Sequence, residues 1–527
     1  MRLVDYLDKG ASLDPDAPCL RAGERVLSYR DVQVTSDAVA RALAGSGIAP
    51  GDKVAILSGN DPTAFSCVFG ISRAGAVWCP INPRNEAREN RQLLELFECR
   101  ALIFQNAFAP LVAQILPDLP ALSVAICLDP VDPDDPDGVG ALDFAEWTAQ
   151  APAARRLDGE WVSVDPIDDV AMIVGTGGTT GLPKGVQLST RNLETMTAIT
   201  LISYPFSGRP TYLALAPLTH AAGVLSFPVL TRGGQIVIMP KPDIAEFLRL
   251  IQQHRVTHTM LTPTLLYMML GHPDLDTTDL SSIECFWYGS APMSAARLAE
   301  ALDRVGPVFA QYFGQTEAPM VATTMAPTDH YRPDGSIAVE RLSSAGRAAP
   351  LVTLAIMSPD GELLTPGERG EIVLRSSLVM PGYYRNPNAT AEVSRFGWHH
   401  TGDIGYLDSD GYLFIVDRAK NMIITGGFNV YSAEVEQAVM EHPLVQDCAV
   451  FGLPDDKWGE RVTAVVQLRP DATVDLDELR DFVRHRVGGV KAPKEYAIWA
   501  DLPRSKVGKV LKREIRATMV SGDSPPP

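Results

Sequence analysis

One decapeptide in this chain is built for close approach to an anion: Thr176-Gly-Gly-Thr-Thr-Gly-Leu-Pro-Lys-Gly185, just after the apolar run Ala171-Met-Ile-Val174. Glycines admit positive φ and let backbone N–H groups line a concavity for phosphate oxygens. Thr176, Thr179 and Thr180 add hydroxyl donors, and Lys184 adds a cation. The string departs from both standard phosphate loops. Its lysine precedes glycine where a P-loop has Ser or Thr, and the third glycine of G-x-G-x-x-G is missing. Composition alone allows two readings, a phosphate cradle or an ordinary glycine-rich turn.

Charge sharpens the question. The chain has 46 basic and 64 acidic residues, a net charge of −18, which argues against general binding to nucleic acid or anionic membrane. A function that uses polyphosphate must therefore supply positive charge locally. Residues 484–516 hold ten Lys or Arg against Glu495, Asp501 and Glu514, which reads either as an attractor for anions or as a solvated helical face. The histidines make poor metal sites. His399 and His400 are adjacent and face different ways, and His254 and His258 lack the glutamate of a zinc motif. No Gly-x-Ser-x-Gly elbow is present to support a hydrolase triad.

The elements that must position these residues follow from pattern. Short apolar runs at 54–58, 101–104, 124–128, 170–174, 235–239 and 257–261 predict strands, and amphipathic stretches at 89–98 and 244–254 predict helices. Such alternation predicts an α/β architecture with largely parallel sheets. At 527 residues, two or more domains are expected. Residues 211–231 carry no Asp, Glu, Lys or Arg, long enough for a bilayer, but Pro217, His220, Gly223 and Pro228 favour a buried strand, loop and helix. Residues 129–138 predict a solvated loop, and the tail from Ser521 a disordered end. Seven cysteines without C-x-x-C spacing, and a start (MRLVDYLDKG) without the apolar core of a secretion signal, predict reduced thiols in the cytoplasm.

The decapeptide closely resembles the signature loop of the adenylate-forming superfamily, which includes acyl-CoA synthetases, firefly luciferase and the adenylation domains of peptide synthetases. The superfamily's other motifs have counterparts here in order: Ala216-Pro-Leu-Thr-His220, Tyr288-Gly-Ser-Ala-Pro292, Gln311-Tyr-Phe-Gly-Gln-Thr-Glu317, Gly370-Glu-Ile372, Trp398-His-His-Thr-Gly-Asp403, Asp417-Arg-Ala-Lys-Asn-Met-Ile-Ile-Thr-Gly-Gly427 and Pro503-Arg-Ser-Lys-Val-Gly-Lys509. The resemblance implies a large N-terminal domain of stacked, largely parallel sheets flanked by helices, residues 1–416. It also implies a small mobile α+β C-terminal domain, residues 417–527, with the hinge near 418–420. The implied reaction joins a carboxylic acid to ATP, giving an acyl-adenylate and diphosphate, and then passes the acyl group to coenzyme A with release of AMP.

Roles carry over motif by motif. The loop Thr176, Gly177, Gly178, Thr179, Thr180, Gly181 and Lys184 is implied to cradle the phosphates, and His220 to lie beside the acyl carboxylate. Gly289, Ser290, Ala291 and Pro292 border adenine, and Phe313, followed by Gly314, stacks on it as a flat apolar partner. Thr316 donates to the α-phosphate, and Glu317 holds Mg²⁺, a hard cation suited to carboxylate oxygen. Asp403 accepts from the ribose hydroxyls, Arg418 donates to ribose or phosphate, and Lys420 sits at the hinge. Lys509 is implied to bridge acyl oxygen and α-phosphate, where two anions meet and the barrier is largely electrostatic. Gly426 and Gly427 flank the pantetheine channel, Trp458 stacks the coenzyme A adenine, and Lys491 and Lys494 meet its phosphates. Val490 and Ala492 depart from the pattern, standing where certain relatives carry an aromatic and an arginine.

The acid is read from fewer residues. No Asp or Glu lies between Pro217 and Thr231 to pair an α-ammonium, which favours an acid without an amine. Tyr312 stands where many relatives carry glycine, and its ring shortens or redirects the pocket, while Ala221 and Ala222 open space elsewhere. A medium-chain, branched or ring-bearing acid is the expectation. Three other readings stay open: loading of a carrier-protein phosphopantetheine thiol, a luciferase-like oxygenase, and a non-catalytic nucleotide or acyl-binding protein. A homodimer is compatible with each.

Overall fold

The computed structural model describes residues 1–129, 140–150, 169–176, 183–218, 221–418, 422–426, 428–455, 457–504 and 510–521. Two sheets dominate the N-terminal part. The first runs, in spatial order, Gly382–Tyr383, Lys184–Ser189, Val170–Thr176, Val77–Ile81, Lys53–Leu57, Cys99–Phe104, Val124–Cys127 and Leu142–Asp143. The second centres on Phe309–Gln315, Cys285–Gly289, His258–Leu261, Thr211–Ala214, Gln235–Ile238 and Pro18–Ala22. Central neighbours in both sheets are parallel, and antiparallel pairs lie toward the edges, among them Val170–Thr176 with Lys184–Ser189 and Phe309–Gln315 with Ala318–Met325.

These strands read as unbroken apolar runs because both of their faces are covered. The two-residue period then sorts side chains into different cores. Val54 and Ile56 enter the main core while Ala55 and Leu57 point to the opposite face, and Ile236 and Ile238 part from Val237 and Met239 in the same way. The main core draws on both sheets and on the helices Leu3–Leu13, Tyr29–Gly45, Pro62–Arg73, Thr190–Ser203 and Ala221–Thr231. It therefore lies between the sheets as a helical layer. Ala87–Phe97 and Ala109–Ile115 cover the outside of the first sheet, and Ile244–His254, Pro263–Leu270 and Ala295–Val305 cover the second.

The helix Ile244–His254 has the predicted bounds, since Asp243 accepts from the Glu246 amide and Arg255 leaves the helix in the left-handed region. The uncharged stretch at 211–231 contains the expected strand, Thr211–Ala214, and helix, Ala221–Thr231. No helix among the described residues is long and apolar enough to cross a membrane. A four-stranded antiparallel sheet, Thr353–Met357, Gly370–Arg375, His399–Leu407 and Leu413–Arg418, closes the N-terminal part. The smaller C-terminal domain is a sheet of Phe428–Val430, Ile423–Thr425, Gly459–Leu468, Val445–Asp455 and Glu495–Trp499, with the helices Ser432–Met440, Leu476–Lys491 and Lys512–Ser521.

Candidate active site

The strands Val170–Thr176 and Lys184–Ser189 form a hairpin whose last register pair is Thr176 with Lys184. Gly177, Gly178, Thr179, Thr180 and Gly181 lie outside the described residues, as do His220, Lys420, Gly427 and Lys509. Thr176 Oγ1 donates to the Lys184 carbonyl (3.4 Å), and Lys184 Nζ lies 4.8 Å from the ring centroid of Tyr383.

Tyr383 leads to the second motif, because its hydroxyl donates to Glu317 Oε1 (2.7 Å). Glu317 stands at the turn between Phe309–Gln315 and Ala318–Met325. A Cβ on Gly314 would come within 2.6 Å of the Met320 backbone, so only glycine fits this turn. From the same turn Gln315 Nε2 donates to the Thr401 carbonyl (3.5 Å), and Thr401 Oγ1 accepts from the Asp403 amide (3.1 Å). Asp403 Oδ1 meets Arg418 Nε at 3.1 Å, the two being register partners on adjacent strands. Asp403 is buried and Arg418 half exposed, so the carboxylate is fixed and the guanidinium is reachable.

The segment 289–292 and Phe313 meet at the ends of two neighbouring parallel strands, Cys285–Gly289 and Phe309–Gln315. Ligands in such sheets gather outside the carboxyl ends of strands. Gly289 faces Tyr312, whose carbonyl would lie 2.6 Å from an added Cβ, and Ser290 takes φ +67° beyond it. Ser290 Oγ and the Tyr312 hydroxyl are 3.4 Å apart. Burial pushes the Tyr312 phenol up to about 12, with the Ser290 contact pulling the other way. Ala291 and Phe313 are partly open to solvent and Pro292 is exposed.

Two residues without an assigned role turn out to hold the site. Glu371 accepts from the Gly402 amide (3.0 Å) and pairs with His400 Nδ1 (2.7 Å), pinning the turn that presents Asp403. Tyr383 joins Lys184 to Glu317. Glu371 was visible in Gly370-Glu-Ile372, but the partners lie 29 and 31 residues away, a pairing that sequence spacing does not encode. His399 also lies close enough to feel Glu317, and burial holds it neutral, below the ordinary histidine value.

In the C-terminal domain Gly426, at φ +56°, packs on Trp458 and donates its amide to the Trp458 carbonyl (2.7 Å). Trp458 is 39% exposed, enough to receive a stacked ring. Several basic residues of the stretch at 484–516 have acidic partners among the described residues. Lys491 pairs with Glu434, Arg486 with Glu441, Arg504 with Asp447 and Lys512 with Glu436. Lys494 Nζ donates to the carbonyls of Gly489 and Ala492 at the end of the preceding helix, Leu476–Lys491. Lys491 and Lys494 are thus engaged within the domain in this structure.

The matches to known proteins agree with this geometry. The AMP-binding enzyme family model covers residues 7–384, and the AMP-binding enzyme C-terminal domain model covers residues 434–509. The chain is 38% identical over 489 residues to the medium/long-chain-fatty-acid–CoA ligase FadD8 of Mycobacterium tuberculosis, covering 91% of this chain and 82% of that one. It is 35% identical over 509 residues to a feruloyl-CoA synthase of Amycolatopsis sp, covering 96% of each. Among solved structures, the amide bond synthetase McbA from Marinactinospora thermotolerans superposes with a TM-score of 0.86 at 29% identity, over 98% of this chain and 99% of that one. The chain belongs to the AMP-binding enzyme family, the adenylate-forming enzymes.

Proposed function

We propose that this enzyme is an acid–thiol ligase that activates a carboxylic acid with ATP and passes the acyl group to coenzyme A. The observation that carries the reading is a pair of contact runs joined by the chain at 315–317, Lys184–Tyr383–Glu317 and Gln315–Thr401–Asp403–Arg418. A cation, a carboxylate and an acceptor suited to ribose hydroxyls along one path support binding of a nucleoside triphosphate.

In this reading the hairpin end at Thr176 and Lys184 receives the phosphates, with Gly177, Gly178, Thr179, Thr180 and Gly181. Phe313 and the residues 289–292 receive adenine, Thr316 the α-phosphate, and Asp403 with Arg418 the ribose. The residues fit Mg²⁺: Glu317 engages Tyr383 through Oε1, and its other oxygen, with no hydrogen bond among the described residues, suits a hard cation. Bound there with the phosphates, the ion neutralises their charge. His220 lies at the acyl carboxylate, and Lys509 stabilises charge as carboxylate and α-phosphate meet.

For the second half-reaction the division at 416/417 becomes a hinge at residues 418–420. Asp417 accepts from the Ser432 and Ala433 amides of the C-terminal domain, while the next residue, Arg418, pairs with Asp403 of the body. Rotation there withdraws Lys509 and brings Gly426, Gly427 and Trp458 to the thiol. The Tyr312 ring shortens the acyl pocket, which favours medium-chain, branched or ring-bearing acids. Seven free, buried cysteines suit a cytoplasmic enzyme, and a homodimer is compatible with it.

The test is a panel of acids with ATP, Mg²⁺ and coenzyme A, read by AMP release and acyl-CoA mass. Acyl-CoA formation that depends on acid and coenzyme A is expected. Transfer only to a carrier-protein thiol or an amine would overturn the acceptor, and a clear preference for long straight chains would overturn the proposed acid class.

A further inference from the structure

The segment at residues 377–385 crosses the site as a strap, and nearly every residue of it is tied to a different element. Asn192 Nδ2 donates to the carbonyls of Ser377 (2.9 Å) and Val379 (2.8 Å). The Met380 amide donates to the Glu317 carbonyl (2.8 Å). The Tyr383 amide donates to Thr390 Oγ1 (2.9 Å), and the Tyr384 amide to the Gly185 carbonyl (2.7 Å). Tyr384 and Arg385 both reach Glu98, the Tyr384 hydroxyl at 2.9 Å. The strap is therefore fixed on both sides of Tyr383, and Tyr383 itself is buried.

Tyr383 is the one strap side chain that touches two charged groups of the site. Its hydroxyl donates to Glu317 Oε1 at 2.7 Å, and its ring faces Lys184 Nζ at 4.8 Å. A carboxylate on a turn is free to rotate about its terminal torsions unless one oxygen is held. Hydrogen bonds to an ionised acceptor are the strong ones, so a phenol held by its backbone is an effective clamp. The ring face, in turn, attracts an ammonium and keeps Lys184 near the turn without neutralising it, as a carboxylate partner would.

We propose that Tyr383 is the positioning residue of the metal and phosphate site: its hydroxyl fixes one Glu317 oxygen so that the other faces the metal–ATP complex, and its ring holds Lys184 beside the phosphates. This rests on the ligase reading above. The hydroxyl takes part in no covalent step and stays protonated throughout.

The experiment uses the full chain with Mn²⁺ and ATP, following protein-bound Mn²⁺ by electron paramagnetic resonance, which needs no turnover. Tyr383→Phe keeps the ring and removes the hydroxyl, and should raise the Mn²⁺ half-saturation about five- to tenfold. Tyr383→Leu removes both and should also weaken ATP binding itself. Tyr384→Phe is the structural control, deleting a similar tyrosine–glutamate hydrogen bond on the same strap, and should leave Mn²⁺ binding unchanged. In a Glu317→Gln background, Tyr383→Phe should have no further effect. Equal responses of Tyr383→Phe and Tyr384→Phe, or no response of the former in a protein that binds Mn²⁺ and ATP, would overturn this inference alone. Failure of the unmodified chain to bind Mn²⁺ with ATP would overturn both this inference and the ligase reading.

Discussion

Two buried histidines of the N-terminal body and the partly buried ion pairs of the C-terminal domain keep their polar groups in opposite states. In the body the two imidazoles are neutral. His258 lies against the Pro205 carbonyl (2.8 Å) and His330 against the Tyr288 hydroxyl (2.8 Å), and burial pushes both imidazoles down to about 4. In the C-terminal domain the paired groups are charged. Lys512 Nζ meets Glu436 (2.7 Å) and Ser432 (2.7 Å), and Arg504 meets Asp447 (2.7 Å). Burial opposes the charge on Lys512, but Glu436 and Asp417 outweigh it and hold the lysine protonated. Asp417 extends this network to the first turn of Ser432–Met440, next to the proposed hinge. A neutral interior costs little to keep rigid, which suits a nucleotide platform. A charged network is directional and locks the small domain's own parts together, so it can turn as a unit.

Two contacts between the regions away from the hinge have a third character. Arg504 reaches Thr264 (3.4 Å), and Arg369 reaches Glu434 (3.7 Å). These are long, partly exposed polar contacts, weak enough to be exchanged on rotation.

The largest expected effect tests whether the small domain carries charge to the body. Lys509→Ala should slow adenylate formation by about 10²–10³-fold while largely sparing thioester formation from a supplied acyl-adenylate. Equal loss in both steps, measured separately, would break the division of labour.

Next in size is the pH response of the body. The folded-state pKa of His258 and His330 lies below the ordinary value of 6.5, so the unfolded chain takes up protons first as pH falls. The contribution is complete above about pH 6.5 and is lost progressively toward pH 4, on the order of 3 kcal/mol for each histidine. Denaturant midpoints between pH 7 and pH 4 should fall accordingly, and His330→Asn should flatten part of the slope. A flat profile in the unmodified chain would remove the contrast between the two interiors.

Breaking the charged network should cost less, because Lys512 and Glu436 keep 27% and 17% of their side-chain exposure. Lys512→Met is expected to destabilise the C-terminal domain by about 2 kcal/mol, below the cost at a fully buried pair. Adding Glu436→Met should recover most of it, as read by thermal unfolding. The smallest effect belongs to the interface. Arg369→Ala should change stability by less than about 1 kcal/mol, and a larger loss would mean that this contact holds the domains in one arrangement.

Much of the platform was legible because it rests on local chemistry. Parallel strands covered on both faces appear as apolar runs, and Ile244–His254 shows its amphipathic face together with its capping Asp243. The order of motifs then implied which turns share a site. What sequence could not show are pairings across distance. Tyr383 meets Glu317 from 66 residues away, and Lys491 meets Glu434 from 57. Charge density at 484–516 does not show the partners either, since Glu434, Glu436, Glu441 and Asp447 lie elsewhere in the chain. Nothing in the spacing of the Gly382-Tyr-Tyr384 run marks its first tyrosine as the one beside the carboxylate.

The central claim is that a body holding ATP and a carboxylic acid joins them before any thiol is involved. Exchange of labelled pyrophosphate into ATP measures that step alone. Exchange that requires an organic acid and Mg²⁺ but no coenzyme A is expected. Absence of exchange across a broad panel of acids, by protein that is folded and binds ATP, would contradict the claim.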